Sequence, residues 1–257
     1  TKPYCDKPRT ALCLCLPGEC PMRLPPLTNG HIIKRYKRFL ADVELSDGEI
    51  LTVHCPNTGS MSGCWEPGAP VQISFSDNPR RKLPWTLERV DMGQGWVGVH
   101  TGRTNPVVEE ALKAGLIKSV ADYQVVRREV PYESHGERSR FDFMLPGDGK
   151  ADVWIEVKNV TLWQGEGLSF PDAVTLRGRK HLEQLAELSG SGSRGVMIYA
   201  LNRPEGNYFS PADKIDPEYG KTLRRVVEKS GVEVVALRIK HTKQAMKVAE
   251  PVAVKLD

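Results

Sequence analysis

Residues 154–158, Trp154-Ile155-Glu156-Val157-Lys158, decide how the chain is read. Their alternation and β-branched residues predict a strand, whose successive side chains point to opposite faces. Val153, Ile155 and Val157 then enter one core, while Glu156 and Lys158 share the other face and set a carboxylate beside an ammonium. Upstream, Phe141-Asp142-Phe143 places a lone acid between two aromatics on the preceding strand candidate. An antiparallel pairing would bring that acid within about 5 Å of Glu156. Two carboxylates beside one lysine suit Mg2+ or Mn2+, hard cations that leave much of their coordination sphere to water and substrate phosphate. Such a cation offsets phosphodiester charge and generates hydroxide, and a lysine can orient the attacking water. The same Glu-x-Lys pattern also serves as a plain surface ion pair worth about 0–1 kcal/mol, so the surrounding order of elements matters.

Working outward, Asn105-Pro106 opens a helix, with Val108, Ala111, Leu112 and Gly115 at helical spacing. Strand candidates follow over 123–132, 140–145 and 152–162, then a helix over 176–188, an apolar strand over 196–201, a helix over 218–230 and a last strand over 232–239. The order α-β-β-β-α-β-α-β predicts a mixed α/β domain with a central sheet over 102–257. Before it, the chain alternates from Arg35 on, with Phe39, Ala41, Val43 and Leu45 on one face and Arg38, Asp42 and Glu44 on the other. Ser46-Asp47-Gly48 makes a turn and Leu51, Val53 and Cys55 resume the pattern, so 36–55 reads as a hairpin. With further strands over 71–76, 85–92 and 96–101, residues 22–101 form an all-β module of the size of a five-stranded barrel.

The 257 residues allow two domains with their own cores, and 40% hydrophobic with 26% charged residues is ordinary for a folded globular chain. No apolar run approaches the ~18 residues a spanning helix needs, so the expectation is a cytoplasmic protein without membrane contact. The net charge of +4 is too small to indicate a polyanion binder by itself. Two local clusters matter more: Lys34, Arg35, Lys37 and Arg38 around Tyr36 and Phe39, and Arg80, Arg81 and Lys82 near Trp85. Basic residues interleaved with aromatics suit phosphate contact and base stacking, and equally suit a solvated strand edge. Cys5, Cys13, Cys15 and Cys20 crowd the first twenty residues, without the paired Cys-x-x-Cys spacing of a zinc site. Cys55 and Cys64 are alone in the rest, as expected in a reducing compartment. Residues 1–21 read as a non-native or mis-annotated leader ahead of Met22. There is no Gly-rich phosphate loop, no Gly-x-Ser-x-Gly and no histidine pair at metal spacing.

Longer blocks carry a resemblance. Gly136-Glu137-Arg138-Ser139-Arg140-Phe141-Asp142-Phe143, Trp154 to Leu162, Phe170-Pro171-Asp172-Ala173-Val174-Thr175, Arg177-Gly178 and Lys180-His181-Leu182 resemble the sugar fermentation stimulation protein A family. Arg35-Tyr36-Lys37-Arg38-Phe39, the stretch His54 to Met61 and Arg80-Arg81-Lys82 are similar to the same family, so the likeness covers about 22–255. His100 stands where the family is expected to carry Asn. The resemblance implies an N-terminal OB-fold followed by a PD-(D/E)xK nuclease-like α/β domain, non-specific DNA binding, and a regulatory role in maltose metabolism. It implies Asp142 and Glu156 as metal ligands, Lys158 as catalytic lysine, and a helical carboxylate falling on Glu110, with Glu109 as its rival.

Two functions follow. In one, an Mg2+- or Mn2+-dependent nuclease holds DNA with Arg35, Lys37, Arg38, Arg80, Arg81 and Lys82 while the second domain cuts. In the other, a non-catalytic regulator binds DNA through the same surfaces. Asp172, Arg177, Lys180 and His181 either contact a flanking phosphate or cap and solvate a helix start, and His54 with 57–60 either lines the barrel's ligand face or forms an ordinary polar turn. The residues do not separate DNA from RNA, and a homodimer stays open.

Overall fold

The computed structural model describes residues 21–257, so the leader reading and the four N-terminal cysteines lie outside the described residues, Pro21 excepted. After the short strand β1 (Met22–Arg23), the first domain uses β2 (Leu27–Tyr36), β3 (Leu40–Leu45), β4 (Ile50–His54), β5 (Pro70–Phe75) and β6 (Trp85–Asp91). These pair in the order β4-β3-β2-β5-β6, and His54 of β4 meets Thr86 of β6 in parallel to close the barrel. The result is an OB-fold, with β7 (Trp96–Gly98) added antiparallel to β6. Ile32, Val43, Val53, Ile73 and Leu87 fill its interior, together with the free thiols of Cys55 and Cys64.

The alternation read from Arg35 runs through a turn. β2 ends at Tyr36, and Lys37 and Arg38 take φ of 51° and 65° before Leu40 pairs back with Tyr36. Neither Gly nor Asn marks that turn, so its usual signal is missing. β2 itself extends back to Leu27, a strand the alternation did not announce.

The second domain contains α1 (Thr104–Lys113), β8 (Arg127–Ser134), β9 (Glu137–Leu145), β10 (Val153–Val160), β11 (Leu162–Gln164), β12 (Gly167–Phe170), α2 (Leu176–Gly190), β13 (Arg194–Leu201), β14 (Tyr208–Pro211), α3 (Pro217–Ser230), β15 (Glu233–His241) and β16 (Ala245–Val254). The sheet order is β11-β12-β14-β16-β15-β13-β10-β9-β8, with β10, β13 and β15 parallel and β9 antiparallel to β10. Its centre is apolar on both faces, as a covered parallel sheet requires. Val153, Ile155, Ile198 and Leu237 pack beneath α1 residues Val107, Val108 and Leu112. Tyr199, Leu201 and Val160 pack beneath α2 and α3 through Leu182, Leu185, Leu223 and Val226. Thr175 caps α2 and Asp216 caps α3, each accepting from a backbone N–H three residues on, at 3.0 Å.

The expected α-β-β-β-α-β-α-β order is the backbone of this domain, and β11, β12, β14 and β16 are additions to it. Three of these have four residues or fewer, too short to show a period. Met22 and Arg23, read with the barrel, pair instead with Met246 and Ala245 on the second sheet. No helix among the described residues is long and apolar enough to cross a membrane.

Polar contacts join the domains. Arg103 grips Glu88 of the barrel in a bidentate pair (2.6 and 3.0 Å), and Ser74 donates to the same carboxylate at 2.6 Å. Arg89 donates to the carbonyls of Thr242 (2.7 Å) and Lys243 (3.0 Å), and Arg203 donates to those of Gly63 (3.2 Å) and Thr161 (2.8 Å). The Gly98 N–H donates to the Asn202 carbonyl at 2.8 Å, and a Cβ on Gly98 would sit 2.2 Å from Asn202 Oδ1. Gly98→Ala is therefore expected to cost about 1–3 kcal/mol through forced overpacking, read as a lower urea midpoint. An unchanged midpoint would show that this contact does not hold the domains.

Candidate active site

The site forms where the β9–β10 ladder ends. Pairing stops at Phe143 with Ile155, and the next register position sets Asp142 opposite Glu156. A regular strand would send Phe141 and Phe143 to one face, yet Phe143 enters the core beneath α1 and Phe141 the core beneath α2. The chain thus turns over at Asp142, beside Glu129, which lies opposite on β8 with φ 51°. Freed from the ladder, the Val157 N–H donates to Asp142 Oδ2 at 2.7 Å, and Asn105 of α1 donates to Oδ1 at 2.7 Å.

Glu156 faces α2 and is 3% exposed. Its Oε1 accepts from Lys158 Nζ at 2.5 Å and lies in hydrogen-bond contact with His181 Nδ1, which is 3.4 Å from the same Nζ. Its Oε2 is buried without a partner. Burial works against the charge of Glu156, but Lys158 and His181 together hold its carboxyl below the usual range. Asp142 has weaker support: burial, then the charge of Glu156, pushes it up to about 6 against the hydrogen bonds from Val157 and Asn105.

These groups line a cleft of about 620 Å3 whose walls include Arg128 and Glu129 of β8, Asn159, Ser169, Asp172, Arg177, and Asn57 to Gly59 of the barrel. Asp172 Oδ2 accepts from Ser60 Oγ (3.2 Å) and the Met61 N–H (3.3 Å), tying the barrel loop to the cleft. A Cβ on Gly59 would crowd that oxygen, so a side chain there would displace the Asp172 carboxylate.

The structure gathers Asp142, Glu156, Lys158 and Arg177 at one cleft, with His181 buried behind Glu156. It does not bring Glu110 there. Glu110 lines a separate cavity with Lys240, Lys247 and Glu250, where burial and then Glu109 push its carboxyl up. Glu109, one helical turn from Asn105 on the same face, instead pairs with Lys113 (2.8 Å) and with cleft residue Arg128 (3.3 Å). Lys180 also lies elsewhere, paired with Glu137 at 2.7 Å beside another hollow. His181, expected on phosphate, is 2% exposed and spent on Glu156. Arg35 donates to the carbonyls of Arg38 (2.7 Å), Asn57 (2.9 Å) and Gly59 (2.9 Å), so it shapes the cleft loop instead of facing solvent. Lys37, Arg38, Arg80 and Lys82 are exposed on the barrel, and Arg81 donates to Thr86 Oγ1. Asn105 and Arg128 are contributors that local sequence does not reveal; Asn105 reads as the opening of a helix, and its contact with Asp142 spans 37 residues.

The raised Asp142 carboxyl has a pH consequence. Its folded pKa lies above the ordinary 3.8, so the folded chain keeps a proton that the unfolded chain releases, and stability falls as pH rises from about 4 to about 6. Asp142→Asn is expected to remove this fall in metal-free stability between about pH 4 and pH 6, whatever its effect on absolute stability. Urea titrations of wild type and variant at pH 4 and pH 7 check this; a fall of the same size in the variant would contradict the assigned origin of the shift.

Comparison with known proteins agrees with this architecture. Residues 33–99 match the SfsA N-terminal OB domain and residues 102–245 match the sugar fermentation stimulation protein RE domain. The sugar fermentation stimulation protein homolog of Acidithiobacillus ferrooxidans is 49% identical over 233 residues, covering 90% of this chain and 99% of its own. That of Geobacter metallireducens is 49% identical over 230 residues, covering 89% and 97%. The structure of Pyrococcus furiosus SfsA in complex with Ca2+ shares the fold, with a TM-score of 0.81 at 22% identity over 91% of this chain and 98% of that one. On these matches the chain belongs to the sugar fermentation stimulation protein family.

Proposed function

We propose that this chain is a divalent-cation-dependent nuclease that hydrolyses phosphodiester bonds in DNA with weak sequence preference. The observation that carries the proposal is the buried, partnerless Glu156 Oε2 beside Asp142, a carboxyl pair that resists carrying two charges. These donors fit Mg2+ or Mn2+, and Asp142 and Glu156 would hold the ion. Among the described residues no group of three or more His, Cys, Asp or Glu side chains is gathered for a metal, so backbone, water and substrate phosphate would complete the sphere. The Ca2+ in the Pyrococcus furiosus relative supports a divalent cation. When bound, the ion supplies an activated water and offsets charge on the scissile phosphate.

The chain's own residues do the rest. Lys158, 14% exposed and fixed by Glu156, presents an ammonium at the cleft to orient water and the phosphate oxygens. His181 holds Glu156 from α2, and Asn105 holds Asp142 from α1. Exposed Arg177 at the cleft, with Lys37, Arg38, Arg80 and Lys82 on the barrel, gives the backbone contacts that make affinity salt-sensitive and sequence-tolerant.

The test is cleavage of labelled DNA, with RNA as a parallel substrate, in Mg2+ or Mn2+. Lys158→Met is expected to lower the cleavage rate at least ~100-fold while binding changes less than about threefold, and Asp142→Asn to abolish metal-dependent cleavage. Binding without cutting by the wild type would overturn the nuclease in favour of a DNA-binding regulator.

A further inference from the structure

The barrel carries a groove that hydrolysis alone does not require. It encloses about 510 Å3 between the 37–39 loop and the 76–84 loop, and is lined by Phe39, Leu40, His54, Leu83 and the chains of Arg81 and Lys82. The lining is almost wholly apolar although its rim is basic, through exposed Lys37, Arg38, Arg80 and Lys82. Phe39 is 47% exposed at the tip of the β2–β3 hairpin. Lys37 and Arg38, with φ of 51° and 65°, keep a left-handed backbone that side-chain-bearing residues disfavour, and the tip is held in that shape. Burial, then the charge of Arg81, lowers the pKa of His54, so it offers a neutral ring.

The groove lies close to the cleft along the chain. His54 lines the groove and Asn57 lines the cleft, and three residues of chain span at most about 11 Å. One guanidinium spans the same junction: Arg35 donates to Arg38 at the groove tip and to Asn57 and Gly59 at the cleft wall. An apolar slot with an aromatic edge and a cationic rim matches a flat base carried on a phosphate backbone, and stacking of this kind tolerates any base. A base paired inside a continuous duplex has no face free to enter such a slot.

Resting on the nuclease reading, we infer that the groove holds an unpaired nucleobase, so that the substrate class is nucleic acid with a single-stranded segment, whose strand passes from the groove into the cleft. The base docks against Phe39 and His54, and the adjoining phosphates run past the 57–59 loop toward Asp142 and Glu156.

The test uses fluorescent oligothymidylate, a blunt DNA duplex and the same duplex with a thymidylate tail, titrated in Mg2+ with the Lys158→Met protein, with and without Phe39→Ala. Phe39 is exposed, and an unchanged melting curve verifies that the second variant folds. The tailed duplex and the oligothymidylate are expected to bind about tenfold tighter than the blunt duplex, with Phe39→Ala removing that difference. Wild-type cuts are expected in the tail or at its junction. Equal affinity for all three probes, or a preference that survives Phe39→Ala, overturns the inference. If wild type cuts blunt and tailed duplexes equally, the groove assignment fails and the nuclease stands. If nothing is cut yet Phe39→Ala weakens oligothymidylate binding, the groove stands and the nuclease fails.

Discussion

Two carboxylates facing each other across adjacent strands, both largely withdrawn from water, are the constraint around which the second domain is arranged. Asp142 and Glu156 meet because the β9–β10 ladder ends one step earlier. One lysine and one histidine converge on a single oxygen, Glu156 Oε1, leaving Oε2 bare and leaving Asp142 with only neutral donors. Burial, and then the charge of Glu156, push the Asp142 carboxyl up to about 6 and leave it prone to protonation. In the proposed function, a divalent cation held by Asp142 and Glu156 would relieve the conflict between the two carboxyls.

The barrel completes the cleft. Its 57–61 loop forms one wall of the cleft and is fastened at both ends, by Arg35 within the barrel and by Asp172 from the second domain. Buried arginines carry much of the junction: Arg203 is 1% exposed and bonds to carbonyls on both sides of it, while Arg89, also 1% exposed, reaches the 242–243 turn. Guanidinium donors matched to backbone carbonyls fix orientation as well as distance. Asn159, following the catalytic strand positions, accepts from Thr104 and Asn202, so α1 and β13 are registered to β10 where the cleft opens. The barrel's 57–59 loop and the carboxyl pair are thereby held as parts of one cleft.

Much of this was legible in the chain because it follows from local period. Alternation over 153–158 put Glu156 and Lys158 on one face, the apolar run over 196–201 marked a strand, and helical spacing marked α1 and α2. What escaped depends on tertiary geometry. The hairpin tip at 37–39 adopts left-handed conformations without glycine, so alternation carried on through it. The carboxyls of Glu109 and Glu110 are adjacent in sequence and diverge by about 100° around the helix, a difference that matters only once the sheet lies beneath it. His181 and Lys180 likewise part company, one sealed against Glu156 and the other on an outer ion pair. Neither composition nor spacing states which side of a helix will face a carboxylate.

The most direct measurement of the central claim is a crystal structure with Mn2+, using the anomalous signal of manganese to locate the ion. The account predicts a peak at Asp142 and Glu156, and its loss in Asp142→Asn. A saturating Mn2+ soak with no peak there, or with the ion bound at Glu110 instead, would contradict it.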